Sequence, residues 1–278
     1  MGETAFDYVI IGAGSAGCVL ANRLSADPAT RVLLLEAGGS DKSLLVRMPA
    51  GIARLSVPQF NWLYDTAPQP AMKHRRMYWP RGKTLGGSSS INAMVYIRGQ
   101  AQDYDRWRQL GNTGWSHADV LPFFKKAERN ERLKDEFHGT EGPLNVAERP
   151  YTNPLSHVFV EAAQQAGIPH NPDFNGAKQH GAGLFQVTQK KGERWSAAAA
   201  YLHPVASRPN LTVATGAHAT RIRLEKGRAT GVDYVREGRQ KSALALQEVL
   251  LAAGAINSPH LLLLSGIGPA EELRSAGV

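Results

Sequence analysis

Hydrophobic positions recur along this chain in short blocks whose spacing changes from one block to the next. Residues 8–11, Tyr-Val-Ile-Ile, are an unbroken apolar run that predicts a buried strand. Gly12-Ala-Gly14-Ser-Ala-Gly17 follows directly, and residues 18–24 carry apolar side chains at helical spacing. After turn material at residues 27–30, a second apolar run at 32–35 ends at Glu36 and the pair Gly38-Gly39. Strand, glycine turn, helix and strand make a βαβ unit of about thirty residues, the context in which GxGxxG points to a dinucleotide.

From residue 103 to 149 the pattern turns helical and amphipathic. Helices are predicted over 105–110 and 115–128, the second opened by a capping box of Ser116 and Asp119. Trp107, Trp115, Phe123 and Phe124 are read as core anchors of these helices. Residues 138–146 and 184–190 read as strands, with a helix over 156–167 between them, and the run Pro169-His-Asn-Pro-Asp-Phe-Asn-Gly176 breaks the pattern. A second domain is therefore placed at 141–190, inside a first domain made of 1–140 and 191–278. Strands are predicted at 211–214, 219–224, 229–235 and 248–252, joined by tight turns. The last of them runs into Ala253-Gly-Ala-Ile-Asn-Ser-Pro259, with a helix beginning at His260.

Composition narrows the class. The 278 residues are 42% hydrophobic and 20% charged, values of a chain that folds around a core rather than staying disordered. One cysteine, Cys18, excludes an internal disulfide and points to the cytoplasm. The N-terminus has no basic region before its apolar run and does not read as a signal peptide. Residues 249–270 carry no formal charge, but Asn257, Ser258, Pro259 and His260 interrupt them, so they are not read as a membrane span. The net charge of +8 allows an anionic partner. Its densest cluster, from Lys73 to Lys83, comes without zinc-finger or RNP spacing, which favours a solvated or cofactor-facing surface over nucleic acid.

The residue types suit the chemistry. Gly12 permits the tight turn, Gly14 lets the backbone approach a pyrophosphate, and Gly17 lets the helix pack on the strand. Helix N–H groups then face the phosphates, while Glu36 can accept from the ribose hydroxyls and would repel a 2′-phosphate, disfavouring NADP. Residues 80–99 hold a second glycine- and serine-rich loop. Gly82-Lys-Thr84 mimics the end of a P-loop, but Met77 stands where its opening glycine belongs. Gly86-Gly87-Ser88-Ser89-Ser90 instead offers consecutive N–H groups and hydroxyls to an anion or a carbonyl-rich ring. None of the nine histidines shows the spacing of a base with an orienting partner, and HExxH and GxSxG are absent, so no metal site or serine nucleophile is predicted.

Two long segments carry a resemblance. Residues 82–92, Gly-Lys-Thr-Leu-Gly-Gly-Ser-Ser-Ser-Ile-Asn, continued to Gly99 and Asp105, and residues 254–268, Gly-Ala-Ile-Asn-Ser-Pro-His-Leu-Leu-Leu-Leu-Ser-Gly-Ile-Gly, resemble the two signatures of the glucose–methanol–choline (GMC) family of FAD-dependent alcohol oxidoreductases. The chain is similar to bacterial choline and aliphatic alcohol dehydrogenases over essentially its whole length. The resemblance implies an α/β fold: a Rossmann-like FAD-binding domain with a central parallel sheet, helices and a small antiparallel sheet, joined to part of an α+β substrate domain. It implies FAD held by Gly12, Gly14, Ser15, Ala16, Gly17 and Glu36. Gly87 falls in the same first signature, Ser88, Asn92, Ala93 and Val95 lie against the pyrophosphate and isoalloxazine, and the backbone of Ala219 lies near adenine. Some members carry a histidine, bonded covalently to the flavin, where this chain has Ile91, so non-covalent FAD is expected.

The implied chemistry is oxidation of a primary alcohol or choline to the aldehyde by hydride transfer to flavin N5. The family's histidine base lies in a C-terminal half with no counterpart after Gly268, so no catalytic residue is carried over. This chain is expected to be the FAD-binding part, inactive alone. The alternative is a truncated FAD-binding module without turnover. The implied partners are an alcohol and an electron acceptor, quinone or oxygen. Peripheral association with the inner membrane is a further expectation, as is self-association through surface that the missing half would cover.

Overall fold

The first apolar run becomes β1 (Thr4–Ile11), and the second becomes β2 (Val32–Leu35), which pairs with it in parallel from Tyr8–Val32 to Ile11–Leu35. All four residues of β2 are buried, because a strand inside a parallel sheet is covered on both faces. That is why the run is continuous rather than alternating. Helix α1 (Ser15–Leu24) makes the crossover between them. The computed structural model describes residues 4–278. They form two compact units: the chain up to Asn92 together with Ser196–Val278, and Ala93–Trp195.

In the first unit the sheet is completed by β3 (Leu211–Ala214), β4 (Ala217–Glu225), β5 (Arg228–Arg236) and β6 (Arg239–Leu251), giving six strands in the order β4-β5-β6-β1-β2-β3. Strands β6, β1, β2 and β3 are parallel, whereas β4, β5 and β6 form an antiparallel ribbon. One long strand, β6, serves both: Ala243 and Leu244 face β5 on one side and β1 on the other. The hairpins turn on Lys226-Gly227 and Glu237-Gly238, all four at positive φ, the turn geometry that matches strand twist. The first half of β6, Arg239 to Gln247, was not among the predicted strands. Its exposed polar residues break the apolar pattern that marks a buried one. Val9 and Val232 are fully buried in the core of this sheet, each side chain contributing on the order of 2 kcal/mol.

Helix α5 (Gly254–Leu264) and the short α6 (Ala270–Ser275) close the unit; their labels follow α2–α4 of the second unit. The helix thus starts six residues earlier than His260, with Pro259 inside it, where the missing N–H removes one ladder bond. The uncharged stretch at 249–270 is accordingly part strand and part helix. Among the described residues no helix is long and apolar enough to cross a membrane.

The second unit contains α2 (Ala101–Gln109), α3 (His117–Ala127) and α4 (Pro154–Gln165). Ser116 caps α3 as expected: its hydroxyl accepts from Asp119 N, and Asp119 Oδ2 accepts from Ser116 N at 3.0 Å. The aromatic assignment is corrected. Trp107, Trp115 and Phe123 are 45, 53 and 69% exposed, and Phe124 is half-buried, because Tyr104 and Val120 take the inward positions of the two helices. Strand content is also smaller than predicted. Of the stretches 138–146 and 184–190 only Leu144–Val146 and Gln189–Lys190 are strands; in the first, Gly139 and Gly142 lie with their backbone against the end of α3 instead. Val187 bridges to both Val95 and Ala147, and Glu128–Asn130 pairs with Leu144–Val146. These pairings tie 93–140 to 141–190 within the Ala93–Trp195 unit.

Candidate functional site

The turn between β1 and α1 is built by close backbone contacts. Gly12 sits at φ 95°, and its N–H donates to Leu35 O at 2.8 Å. A Cβ on Gly17 would stand 1.9 Å from Gly12 O, so only glycine lets the helix come this near the strand. Gly14 differs: the nearest atom to a Cβ there is Ala252 O, 4.0 Å away. The space beside it belongs to a cavity. No side chain caps α1 and its first turn holds no acid, so helix N–H groups and the positive end of the dipole stand ready for an anion.

The cavity has a volume of about 920 Å³, within the range of cofactor pockets. Eight of the twelve residues expected to bind the cofactor line it: Gly12, Gly14, Ser15, Ala16, Glu36, Gly87, Ser88 and Ala219. Gly17 lies beneath the turn as packing. Asn92 is not among the lining residues, and Ala93 and Val95 belong to the other unit. The lining also includes Arg81, from the basic cluster read as solvated or cofactor-facing, and Trp62 and His218, which the sequence did not single out. No periodicity or glycine signature marks them; the only local signal is an aromatic residue just upstream of the second glycine loop.

Glu36 is held from two sides. Its Oε2 accepts from Ala13 N at 2.9 Å and its Oε1 from Gly38 N at 2.8 Å, leaving a lone pair on each oxygen. Burial pushes its pKa up, while these two N–H groups and the charge of Lys83 pull it down. The second glycine loop touches the first: Gly86 N donates to Ala13 O at 2.7 Å, and a Cβ on Gly87 would meet Gly14 Cα at 2.8 Å. Ser89 and Ser90 turn their hydroxyls onto the loop's own carbonyls, of Gly86 and Leu85, so the loop offers the cavity Ser88 and backbone rather than three hydroxyls. The start of α5, also uncapped, contributes Gly254, Ala255, Ile256 and Asn257.

Cys18 packs under the same turn, its thiol donating to Ala13 O at 3.2 Å, and burial pushes its pKa up to about 12. Iodoacetamide at pH 8 is therefore expected to leave the folded protein unlabelled and to modify Cys18 only after denaturation. Rapid labelling of the native protein, read by mass spectrometry, contradicts this.

In the second unit His138 does have orienting partners, which sequence spacing did not reveal. Its Nδ1 lies 3.0 Å from Glu128 Oε1 and its Nε2 3.0 Å from Asp173 Oδ2. Ligand atoms of Asp135, His138 and Asp173 lie within 4.8 Å of one another. With a carboxylate on each ring nitrogen the arrangement is that of a buried ion-pair clamp.

Comparison with known proteins agrees with this geometry. The family model described as GMC oxidoreductase matches residues 6–276. The chain is 53% identical over 277 residues to alcohol dehydrogenase [acceptor] of Pseudomonas putida, covering 98% of this chain and 50% of that protein. It is 48% identical to the mitochondrial choline dehydrogenase of Mus musculus, covering 100% of this chain and 48% of the relative. Pyridoxine 4-oxidase from Mesorbium loti superposes with a TM-score of 0.93 at 36% identity, over 98% of this chain and 54% of that one. The chain thus spans about half the length of the curated relatives it matches.

Proposed function

We propose, since this chain belongs to the GMC oxidoreductase family, that it is the FAD-binding portion of an enzyme that oxidises a primary alcohol or choline. The observation that carries the reading is the cavity at the start of α1, with open space beside Gly14, uncapped N–H groups and Glu36 fixed at its edge. These residues fit FAD. The α1 N-terminus and the Gly87-Ser88 turn would receive the diphosphate, and Glu36 would accept from the ribose hydroxyls. When bound, the flavin supplies a hydride acceptor for the alcohol carbon. This chain's part is to hold and orient it. Asn92, Ala93 and Val95 keep their assignment to the pyrophosphate and flavin side within this proposal, and Ala219 to the adenine side. The 1–140 and 191–278 segments carry the cofactor function and 141–190 the partial substrate domain.

No residue of this chain is assigned as catalytic base, and without one to take the hydroxyl proton, hydride transfer from an alcohol lacks a driving group. The purified chain, loaded with FAD, is expected to be yellow and to absorb at about 450 nm. It is also expected to leave dichlorophenol-indophenol unreduced with primary alcohols or choline. Turnover by the chain alone rules out the division of labour proposed here; a colourless protein that binds no FAD rules out the function itself. Exposed apolar side chains on α4, among them Leu155 and Phe159 at 73 and 72%, support a covering segment or self-association. The electron acceptor is taken as quinone or oxygen, with no nucleic acid involved. The cytoplasm, with peripheral contact at the inner membrane, is the proposed compartment.

Ile91 supports non-covalent attachment. It is 8% exposed and packs with Val46, Leu55 and Phe60, offering no nucleophile to a flavin carbon. Acid precipitation is expected to leave all the flavin in the supernatant; colour retained in the washed pellet refutes this.

A further inference from the structure

The basic cluster between Lys73 and Lys83 belongs to a hairpin, residues 64–79, that the sequence pattern does not declare. At its root Tyr64–Asp65 pairs antiparallel with Tyr78–Trp79, and Thr66 N donates to Met77 O at 3.0 Å. Further out, Gln69 N donates to Arg75 O at 3.1 Å and His74 N to Gln69 O at 2.9 Å. Lys73 and His74, both at φ 56°, turn the chain back at the tip. The root is fastened to the first unit. Trp62 N donates to Arg81 O at 2.9 Å, Asn61 Oδ1 accepts from Leu63 N and Arg81 N, both at 3.1 Å, and Tyr64 OH donates to Asn257 Oδ1 of α5 at 2.6 Å.

The hairpin itself stands in solvent, with every residue from Ala67 to Pro80 exposed. Of the basic cluster only Arg81 lines the cavity, so the charge at the tip has no part in holding the cofactor. Between Trp62 and Lys83 the chain carries five Lys and Arg residues and one acid, Asp65, at the root. Among the described residues none of Lys73, Arg75 and Arg76 forms an ion pair. Beside these charges Met72, Met77, Tyr78 and Trp79 are exposed as well.

A partner has to answer both features. An acidic protein matches the charge but leaves the four apolar side chains without a reason to face water. A bilayer with anionic lipids matches both, since cations reach its headgroup phosphates while Trp, Tyr and Met side chains settle at the boundary with the acyl chains. We propose that the 64–79 hairpin is a docking surface for an anionic lipid bilayer, laid along it with Lys73, Arg75 and Arg76 at the phosphates and Trp79 at the acyl boundary. This inference rests on the peripheral membrane contact proposed above and is independent of the FAD reading.

The test is sedimentation of the 278-residue chain with vesicles of phosphatidylcholine containing about one-third phosphatidylglycerol, against vesicles of phosphatidylcholine alone. The parent is expected to bind the first and not the second. Replacing Lys73, Arg75 and Arg76 together by Gln is expected to weaken binding about a hundredfold, at roughly fivefold per charge near an anionic surface. Thermal melting and FAD binding should match the parent, because none of the three lines the cavity. Gln at Lys226, Arg239 and Lys241, equally exposed on the β4–β6 ribbon, removes the same net charge and should change binding by no more than about threefold. Tryptophan emission should shift to the blue on the anionic vesicles, and Trp79→Phe should remove most of that shift. Equal losses in the two triple variants, parent-like binding when the tip is neutralised, or a shift unchanged in Trp79→Phe overturns the hairpin while leaving membrane contact standing. A parent that ignores anionic vesicles overturns both, and one that ignores them yet binds immobilised polyglutamate assigns the hairpin to an acidic protein instead.

Discussion

Gly14→Ala is expected to fold as the parent does and to lose its dinucleotide, whereas Gly17→Ala is expected to lose the fold around β1. Both replace a glycine of the same turn by the smallest chiral residue, and the geometry separates them. At Gly14, φ is −75° and a methyl meets nothing nearer than Ala252 O at 4.0 Å, so the folded protein accommodates it. That methyl projects into the space where a phosphate must approach the backbone, displacing one or two charge-assisted hydrogen bonds. The dissociation constant for FAD or ADP should rise about tenfold to a hundredfold, with the melting temperature little changed. At Gly17 the methyl would sit 1.9 Å from Gly12 O, a backbone atom that cannot rotate away. Pushing α1 off β1 is expected to cost about 3 kcal/mol or more, seen as a large fall in melting temperature and no bound flavin. Equal behaviour of the two variants in both measurements contradicts this account.

The second large effect lies in the Ala93–Trp195 unit. Glu128 is fully buried and accepts from Arg98 at 2.6 Å, from Asn130 and Gly139 N at 2.9 Å each, and from His138. Burial raises its pKa, but these donors and the Arg98 charge together hold it below the usual range. For His138, burial alone would lower the pKa; the bonds to Asp173 and Glu128 prevail and raise it to about 9 from an ordinary 6.5. A raised histidine stabilises the fold fully below its unfolded value and loses that contribution as pH climbs to the folded one. The clamp therefore strengthens the unit below pH 6.5 and fades between 6.5 and about 9, by up to about 3 kcal/mol. Glu128 and Asp173, both lowered, lose their contribution at the other end, as pH falls through the carboxylate range.

Melting temperature should accordingly fall from pH 6 to pH 9.5 in the parent and stay nearly flat in His138→Gln. Glu128→Ala, which strands Arg98 and His138 in the interior, should cost about 3–5 kcal/mol. A His138→Gln protein with the parent's pH profile shows that the clamp is not responsible.

How much of this was legible in advance follows from the range of the interactions. The βαβ unit was readable because its parts are local: the strand 8–11, the glycines and Glu36 act within one crossover. The Ser116–Asp119 cap was readable for the same reason. The aromatic residues of α2 and α3 were misread because helical periodicity reports which residues share a face, not which face is covered. Tyr104 and Val120 take the interior while the larger Trp107 and Phe123 face outward. The first half of β6 was invisible because its residues are held by pairing with β5, without a buried face to imprint alternation. The Trp62–His218 ring contact joins residues 156 positions apart, and the His138 clamp draws Glu128 and Asp173 from either side of a loop. Such contacts leave no spacing to count.

The pairing of β1 with β6 has a consequence for biogenesis. The N-terminal strand gains β2 early, but its other edge waits for residues 243–251, the complement that joins the parallel and antiparallel halves. On a ribosome adding 5–20 residues per second, that interval lasts roughly ten to fifty seconds, during which Val9 and Ile11 present a sticky half-built sheet to whatever surrounds the nascent chain. Yield in cells should depend on holdase chaperones that bind nascent chains. Slowing translation after residue 200 should lower recovery of native protein more than slowing it before residue 30.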